Sequence, residues 1–257
     1  MKKVLKIAVI VVVLLVALIG GAFWYVFGGM QDQKAGLDLG PGAEPVYDGF
    51  STAFLLDAGG GSWVLIDTGN DTSGKAILTA LQKHNATPDN VTAIFITHAH
   101  SDHDAAVALF PKAMVYAMKR EVPVAAGTEE FHSRFAAVTG KVNGHPFNVG
   151  HPLEDGEKVT VGNLEVTAFD VPGHTAGSGA YLTQGVLYLG DAVTITSDHK
   201  VIGPSKPFST DANQGTASLK HLAQELQPRR AEIKLLATAH NGGLPGFGPL
   251  DALSSQQ

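Results

Sequence analysis

The sequence predicts an α/β domain behind an N-terminal transmembrane helix. Three observations point there. Apolar runs of strand length recur along the chain, several of them paired across turn signals. Stretches with helical periodicity fall between these runs. The first 29 residues hold one uncharged apolar stretch long enough to cross a bilayer.

That stretch runs from Ile7 to Phe27, after Lys2, Lys3 and Lys6. Twenty-one helical residues span about 31 Å, against a hydrocarbon core of roughly 30 Å. Trp24 and Tyr25 sit near its far end, where interfacial aromatics gather. The lysines place the N-terminus in the cytoplasm and the rest of the chain on the periplasmic, extracytoplasmic side of the inner membrane. An anchor is the reading taken. The alternative is a cleaved signal peptide, with Ile7 to Ile19 as its apolar core and Gly20 to Ala22 as the small-residue site.

Residues 30–45, rich in Gly, Pro and polar side chains, read as a linker, and 46–257 as one working domain. Within that domain "STAFLLDAGGGSWVLIDTGN" gives a hairpin around Gly59–Gly61. Ala76 to His84 reads as a helix, and "VTAIFIT", 91–97, as a buried strand. "DHDAAVALF" starts a second helix, and 113–118 is strand-like. Two more hairpins turn at Gly162–Asn163 and Gln184–Gly185. Thr216 to Leu226 is a helix, and "IKLLATAH", 233–240, a final strand.

Composition narrows the function. The chain is 44% hydrophobic and 16% charged, which is globular rather than disordered. Its formal charge is −6, and the three N-terminal lysines leave −9 for the remainder. An acidic domain excludes nucleic acid as the main partner, because phosphate binding needs a basic face. "PRRAEIK", 228–234, reads as a solvated flank. Cysteine is absent, so disulfides, Cys-based zinc fingers and a thiol nucleophile are excluded.

Chemistry concentrates in "THAHSDHD", 97–104. Side chains repeat every two residues on an extended strand end, so His98 and His100 point to one side. Asp102 and His103 follow at the turn. His and Asp supply N and O donors suited to Zn²⁺. Three distant residues extend the set, each after an apolar strand at a Gly-marked turn: His174 in "PGHTAGS", Asp191 in "LGDA" and His240 in "ATAHNGG". Strand ends at one sheet edge converge. Together these make five His and two Asp, enough for two metals. His132, His145 and His151 lack ligand spacing and read as surface residues, and Ser178 as a loop hydroxyl.

The pattern HxHxDH, then PGHT, then GD, then a late His resembles the metallo-β-lactamase-fold hydrolase superfamily over roughly residues 45–245. The resemblance implies a four-layer αβ/βα sandwich with two zinc ions per chain at one edge. It implies His98, His100 and His174 on one zinc, Asp102, His103 and His240 on the other, and Asp191 bridging. It also makes Asp67, in "WVLIDTGN", a residue that orients the metal loop. Zinc brings the pKa of bound water near 7, so a metal-bound hydroxide is the nucleophile, with Asp102 as the catalytic residue that orients it.

Within the superfamily, class B β-lactamases usually carry Cys or Ser where this chain has Asp191. Glyoxalase II-type thioesterases and lactonases share the bridging Asp. Glyoxalase II adds a helical extension, whereas seventeen residues follow His240. The expectation is a membrane-anchored, exported hydrolase of a small-molecule ester, thioester or lactone. A β-lactamase, a phosphodiesterase and a non-catalytic metal-binding protein stand as alternatives. Residues 196–214 and 125–150 are the expected substrate wall, with His199, Lys200 and Lys206 available to an anionic group.

Overall fold

Strands covered on both faces read as unbroken apolar runs, and such runs dominate this chain. The computed structural model describes residues 2–133, 136–137 and 144–254. A first six-stranded sheet has the order β1-β2-β3-β4-β5-β6, formed by Ala43–Tyr47, Thr52–Asp57, Trp63–Ile66, Val91–Phe95, Met114–Met118 and His151–Leu153. β1 to β3 pair antiparallel, and β3 to β6 pair parallel.

The second sheet has the order β14-β13-β10-β9-β8-β7. Its strands are β7 Lys158–Val161, β8 Leu164–Asp170, β9 Gly179–Thr183, β10 Val186–Tyr188, β13 Leu235–Ala237 and β14 Gly243–Pro245. Only β10 and β13 pair parallel in it. A two-stranded ribbon, β11 Thr194–Ile195 with β12 Val201–Ile202, stands beside it.

The period-two alternation of each strand sorts its side chains into layers. In β2, Ala53 and Leu55 face outward to Ile77 and Leu81 of α2, Lys75–Lys83, whereas Phe54 and Leu56 face inward. In β10, Leu187 faces outward, and Val186 and Tyr188 inward. The outer face of the second sheet packs on Leu219 and Leu222 of α5, Ala212–Glu225, and on Leu250 and Leu253 of α6, Gly248–Ser254. Between the sheets, Phe54 meets Tyr188 at 4.8 Å, and Phe95 lies between Tyr116 and Tyr181 at 4.6 and 5.3 Å. Helix, sheet, sheet and helix therefore stack as the sandwich that the resemblance implies.

Several elements differ from expectation, each for a local reason. α5 starts at Ala212 rather than at 216, because the Asp211 carboxylate caps it, accepting from Asn213 N and Gln214 N at 3.0 Å. The helix expected from "DHDAAVALF" is one turn, α3 Ser101–Asp104, followed by a 3₁₀ turn at Val107–Leu109. Ala105 N bonds Gly69 O instead of continuing the helical ladder. The strand expected over 233–240 is confined to β13, and β14 and α6 follow it. The stretch read as a linker is docked rather than free: Gln31 and Leu39 are both 7% exposed.

The N-terminal helix, α1 Lys2–Phe27, forms where the apolar run predicts it. Among the described residues no helix is long and apolar enough to cross a membrane. The transmembrane helix is thus not part of what the fold bears out.

Candidate metal centre

The site lies where β3 and β4 end. Asp67 follows β3 with φ 58°, a left-handed conformation rare for a residue other than glycine and common at functional loops. Its buried carboxylate accepts from Thr97 N at 2.7 Å, Thr97 Oγ1 at 2.8 Å and His103 Nδ1 at 2.8 Å. One carboxylate therefore shapes the whole turn from Thr97 to His103. Asp191 reaches the same place after Gly190, whose φ is +49°. A Cβ on Gly190 would stand 2.5 Å from Thr97 Oγ1, so only glycine lets the two loops approach this closely.

Hydrogen bonding sets which ring nitrogen each histidine presents. Thr97 Oγ1 gives its proton to Asp67, so it accepts from His98 Nδ1 at 3.1 Å. Ser209 Oγ gives its proton to Ser205 O, so it accepts from His174 Nδ1 at 3.2 Å. Phe50 O accepts from His240 Nδ1 at 3.0 Å, as Asp67 does from His103 Nδ1. All four residues are left with Nε2 turned to the site.

Two clusters result. In the first, His98 Nε2, His100 Nδ1 and His174 Nε2 lie 3.0–3.1 Å apart. His98 and His174 carry their protons on Nδ1, so two Nε2 lone pairs face each other at 3.1 Å. A cation removes that repulsion, and ring nitrogens so placed match the tight spacing of zinc ligands. All three rings are buried. Burial holds His98 and His100 well below the ordinary imidazole range and brings His174 down to about 4, leaving the set neutral.

In the second, His240 Nε2 stands 3.0 Å from Asp102 Oδ2 and 3.4 Å from Asp191 Oδ2. His103 Nε2 is 3.5 Å from Asp191 Oδ1 and 3.6 Å from Asp102 Oδ2. It is buried with no hydrogen-bond partner among the described residues, as a nitrogen awaiting a metal would be. Asp191 Oδ2 also lies 3.6 Å from His174 Nε2, so this carboxylate spans both clusters. Burial opposes ionisation of Asp102, but His103 and His240 outweigh it and bring its pKa to about 2. Burial likewise opposes charge on His240, yet Asp191 and Asp102 raise it to about 10. His103 is raised well above its usual range by Asp102, Asp191 and Asp67 against burial, and Asp191 is lowered against burial by His240 and His103.

The expected seven ligands thus come together as two groups of three and four. The residues read as surface or loop groups stay outside them, as expected. His132 is exposed, His151 pairs with Glu157 at 2.7 Å, and His145 lies over Asp104 at 3.6 Å. The Ser178 hydroxyl is tied to Thr175 N at 2.9 Å and Thr175 Oγ1 at 2.8 Å, as a loop hydroxyl. Of the loop groups that could meet an anion, Lys200 pairs with Asp198 at 2.6 Å and His199 Nδ1 bonds Gln31, while Lys206 is exposed. The expected wall over 125–150 lies partly outside the described residues, at 134–135 and 138–143. Phe131 in that segment packs on His100 at 4.1 Å, and exposed Phe50 packs edge-on to His240 at 5.5 Å.

Sequence reading missed Glu121, which closes the 3₁₀ turn Lys119–Glu121 after β5. Its fully buried carboxylate accepts from Ala99 N at 2.7 Å, Thr175 Oγ1 at 2.8 Å and Gly177 N at 3.0 Å. It therefore joins the loop of His98 and His100 to the loop of His174.

A family model described as the metallo-beta-lactamase superfamily matches residues 46–240. The hydroxyacylglutathione hydrolase of Halorhodospira halophila is 34% identical over 134 residues, covering 52% of this chain and 42% of that protein. The hydroxyacylglutathione hydrolase of Serratia proteamaculans is 28% identical over 171 residues, covering 66% and 56%. The chain spans about half the length of these curated relatives. A subclass B3 metallo-beta-lactamase of Bradyrhizobium japonicum superposes with TM-score 0.62 at 18% identity, over 85% of this chain and 89% of that one. A metallo-beta-lactamase family protein of Thermus thermophilus gives 0.60 at 22%, over 84% and 79%.

Proposed function

The chain belongs to the metallo-beta-lactamase superfamily, and from that premise we propose that it is a dizinc hydrolase of a small-molecule ester, thioester or lactone. The observation that carries this reading is Asp191, one carboxylate facing His103 and His240 on one side and His174 on the other. Zinc at the two clusters would lower the pKa of water to near 7 and polarise the carbonyl oxygen of the substrate.

The protein's own groups divide the remaining work. His98, His100 and His174 offer neutral nitrogens from a buried cluster. Asp102, Asp191 and His240 keep 16, 19 and 26% of their side chains exposed, so substrate enters on that side. Asp102 is ionised at neutral pH, and its carboxylate would orient the attacking water and relay a proton to the leaving group. Phe50, on the exposed side, offers apolar contact to the substrate. The names of the curated relatives favour the thioester within this class.

The N-terminal helix completes the proposal as an anchor that keeps the domain at the outer face of a membrane. Val9 to Val16 are each 48–64% exposed, and Leu18 and Ile19 are 71 and 66% exposed, so this apolar surface has no partner in the domain. Fractionation after a high-salt wash tests it, and release into the soluble fraction would overturn it.

The test of function is hydrolysis by the full chain in detergent with two equivalents of zinc. The panel holds an aryl ester, a lactone, a thioester, a phosphodiester and a chromogenic cephalosporin, each with a chelator control. Chelator-sensitive turnover of one of the first three is expected, and Asp102→Asn should abolish nearly all of it while the domain stays folded. Turnover confined to the phosphodiester or the cephalosporin, or none with two zincs bound, would sink the reading.

A further inference from the structure

Residues 30–36 lie outside the stretch that the family model matches, yet they are woven into the loop that carries His240. Gln31 is buried, and its amide bonds at both ends. Nε2 donates to Asn241 O at 2.9 Å and Gly243 O at 3.0 Å, while Oε1 accepts from His199 Nδ1 at 2.8 Å. Gln33 Nε2 donates to Thr52 Oγ1 at 2.9 Å and Ala239 O at 3.3 Å. Gly243 N donates to Ala35 O at 2.8 Å. These bonds bracket His240, one on the residue before it and others on the residues after it.

The backbones touch directly. A Cβ on Gly36 would stand 2.3 Å from Gly243 O, and one on Gly242 would stand 2.2 Å from Ala35 O. The other edge of the segment is tied to the ribbon that follows Asp191. Gln31 N donates to Ile195 O at 2.9 Å, and Ser197 N to Gly29 O at 2.7 Å. His240 needs this support. It is the most exposed of the histidine ligands, and its Nδ1 is held by the single carbonyl of Phe50. The three histidines of the first cluster receive no hydrogen bond from residues 30–36 among the described residues.

We propose that residues 30–36 are a positioning strap that holds the His240 loop against the β11–β12 ribbon and so sets the metal affinity of the second cluster alone. The proposal rests on Asp102, His103, Asp191 and His240 being metal ligands. Gln31 is then a positioning residue, because it acts through the backbone on either side of its loop.

The experiment uses the full chain in detergent, comparing wild type with Gln31→Ala, Gln31→Glu and Gln33→Ala. Zinc affinity at both sites is read by competition with a chromophoric chelator, and amide exchange over 238–243 is read in zinc-free protein. In Gln31→Ala the second zinc should bind roughly tenfold more weakly or worse, the usual cost of losing an outer support. The first zinc should bind as in wild type, and exchange over 238–243 should rise. Gln31→Glu keeps the acceptor but loses both donors, so it should fall with Ala. Gln33→Ala removes one long bond to the loop, giving a smaller shift of the same sign, and it carries the test if Gln31→Ala does not fold. An unchanged second site, or equal weakening of both sites, would overturn the strap. Wild type binding fewer than two zincs would overturn the ligand assignment and the strap with it.

Discussion

Exchanging Glu121 for Gln puts a number on the carboxylate that joins the two loops of the histidine triad. One oxygen receives Ala99 N, and the other receives Thr175 Oγ1 and Gly177 N. A Gln side chain has one acceptor oxygen, and its NH₂ must face an N–H donor whichever way the amide is turned. The Thr175 hydroxyl can rotate toward Ser178, 2.8 Å away, but Ala99 N and Gly177 N cannot. At least one buried backbone N–H is therefore orphaned, which costs about 1–3 kcal/mol. Burial pushes the Glu121 pKa up, so neutral Gln escapes part of the desolvation that the carboxylate carries and the loss falls toward the lower end. In a domain of this size each kcal/mol moves the melting temperature by about 2–4 °C. Thermal unfolding of zinc-free protein should show that drop. Chelator competition should show the first zinc weakened roughly tenfold, because Ala99 lies between two of its ligands and Thr175 follows the third. A Gln variant with unchanged melting and unchanged zinc affinity would refute the role assigned to Glu121.

Three further outcomes follow from the same geometry. Asp67→Asn exchanges an acceptor at His103 Nδ1 for a weaker or misdirected one, so the second zinc should bind roughly 10–100-fold more weakly in a chelator titration. In zinc-free protein His240 is raised to about 10 and His103 well above its usual range, whereas His174 is lowered to about 4. Metal must displace protons only from the second cluster, so its affinity falls as pH falls, and zinc titrations should give two ions at about pH 8 but one at about pH 5.5. Equal stoichiometry at both would contradict this. Tyr188 carries a buried hydroxyl with no partner among the described residues, so Tyr188→Phe should raise stability by about 1 kcal/mol in a thermal melt with zinc binding unchanged.

Strands and ligands were legible in the sequence for one reason, which is that their signals are local. Leu55 and Leu56 read as a buried strand because both faces are covered, and His98 and His100 share a side because the strand period is two. His174, Asp191 and His240 stood out because each ends an apolar run at a glycine turn. What stayed hidden depends on partners far along the chain. Glu121 sits in "KREVP", which reads as solvated charge, and its role appears only when Ala99 and Gly177, 22 and 56 positions away, fold around it. Gln31 sits in a Gly- and Pro-rich stretch, and its amide is matched to carbonyls 210 and 212 positions away. Hydropathy carries no record of such complementarity. The same holds for α3, where Thr68 N of the opposite loop donates to His103 O and Ala105 N donates back to Gly69 O, so the helix stops after one turn.

The two clusters differ in charge, and that difference gives the site a direction. Three buried neutral imidazoles, of which His98 and His174 are fixed from behind by Thr97 and Ser209, neither repel nor neutralise a cation, so under the proposed function its full charge would be available to polarise a carbonyl. Asp102 and Asp191 bring two negative charges to the other cluster, and in the metal-free protein His103 and His240 offset them by holding protons. The stabilised alternative to metal is therefore protonation, and only on one side. Exposure follows the same division, with the neutral cluster sealed and the carboxylate cluster open beside Phe50. Under the proposed function a substrate would therefore reach the carboxylate cluster, with Asp102 and His240 at its open edge, before the sealed neutral cluster.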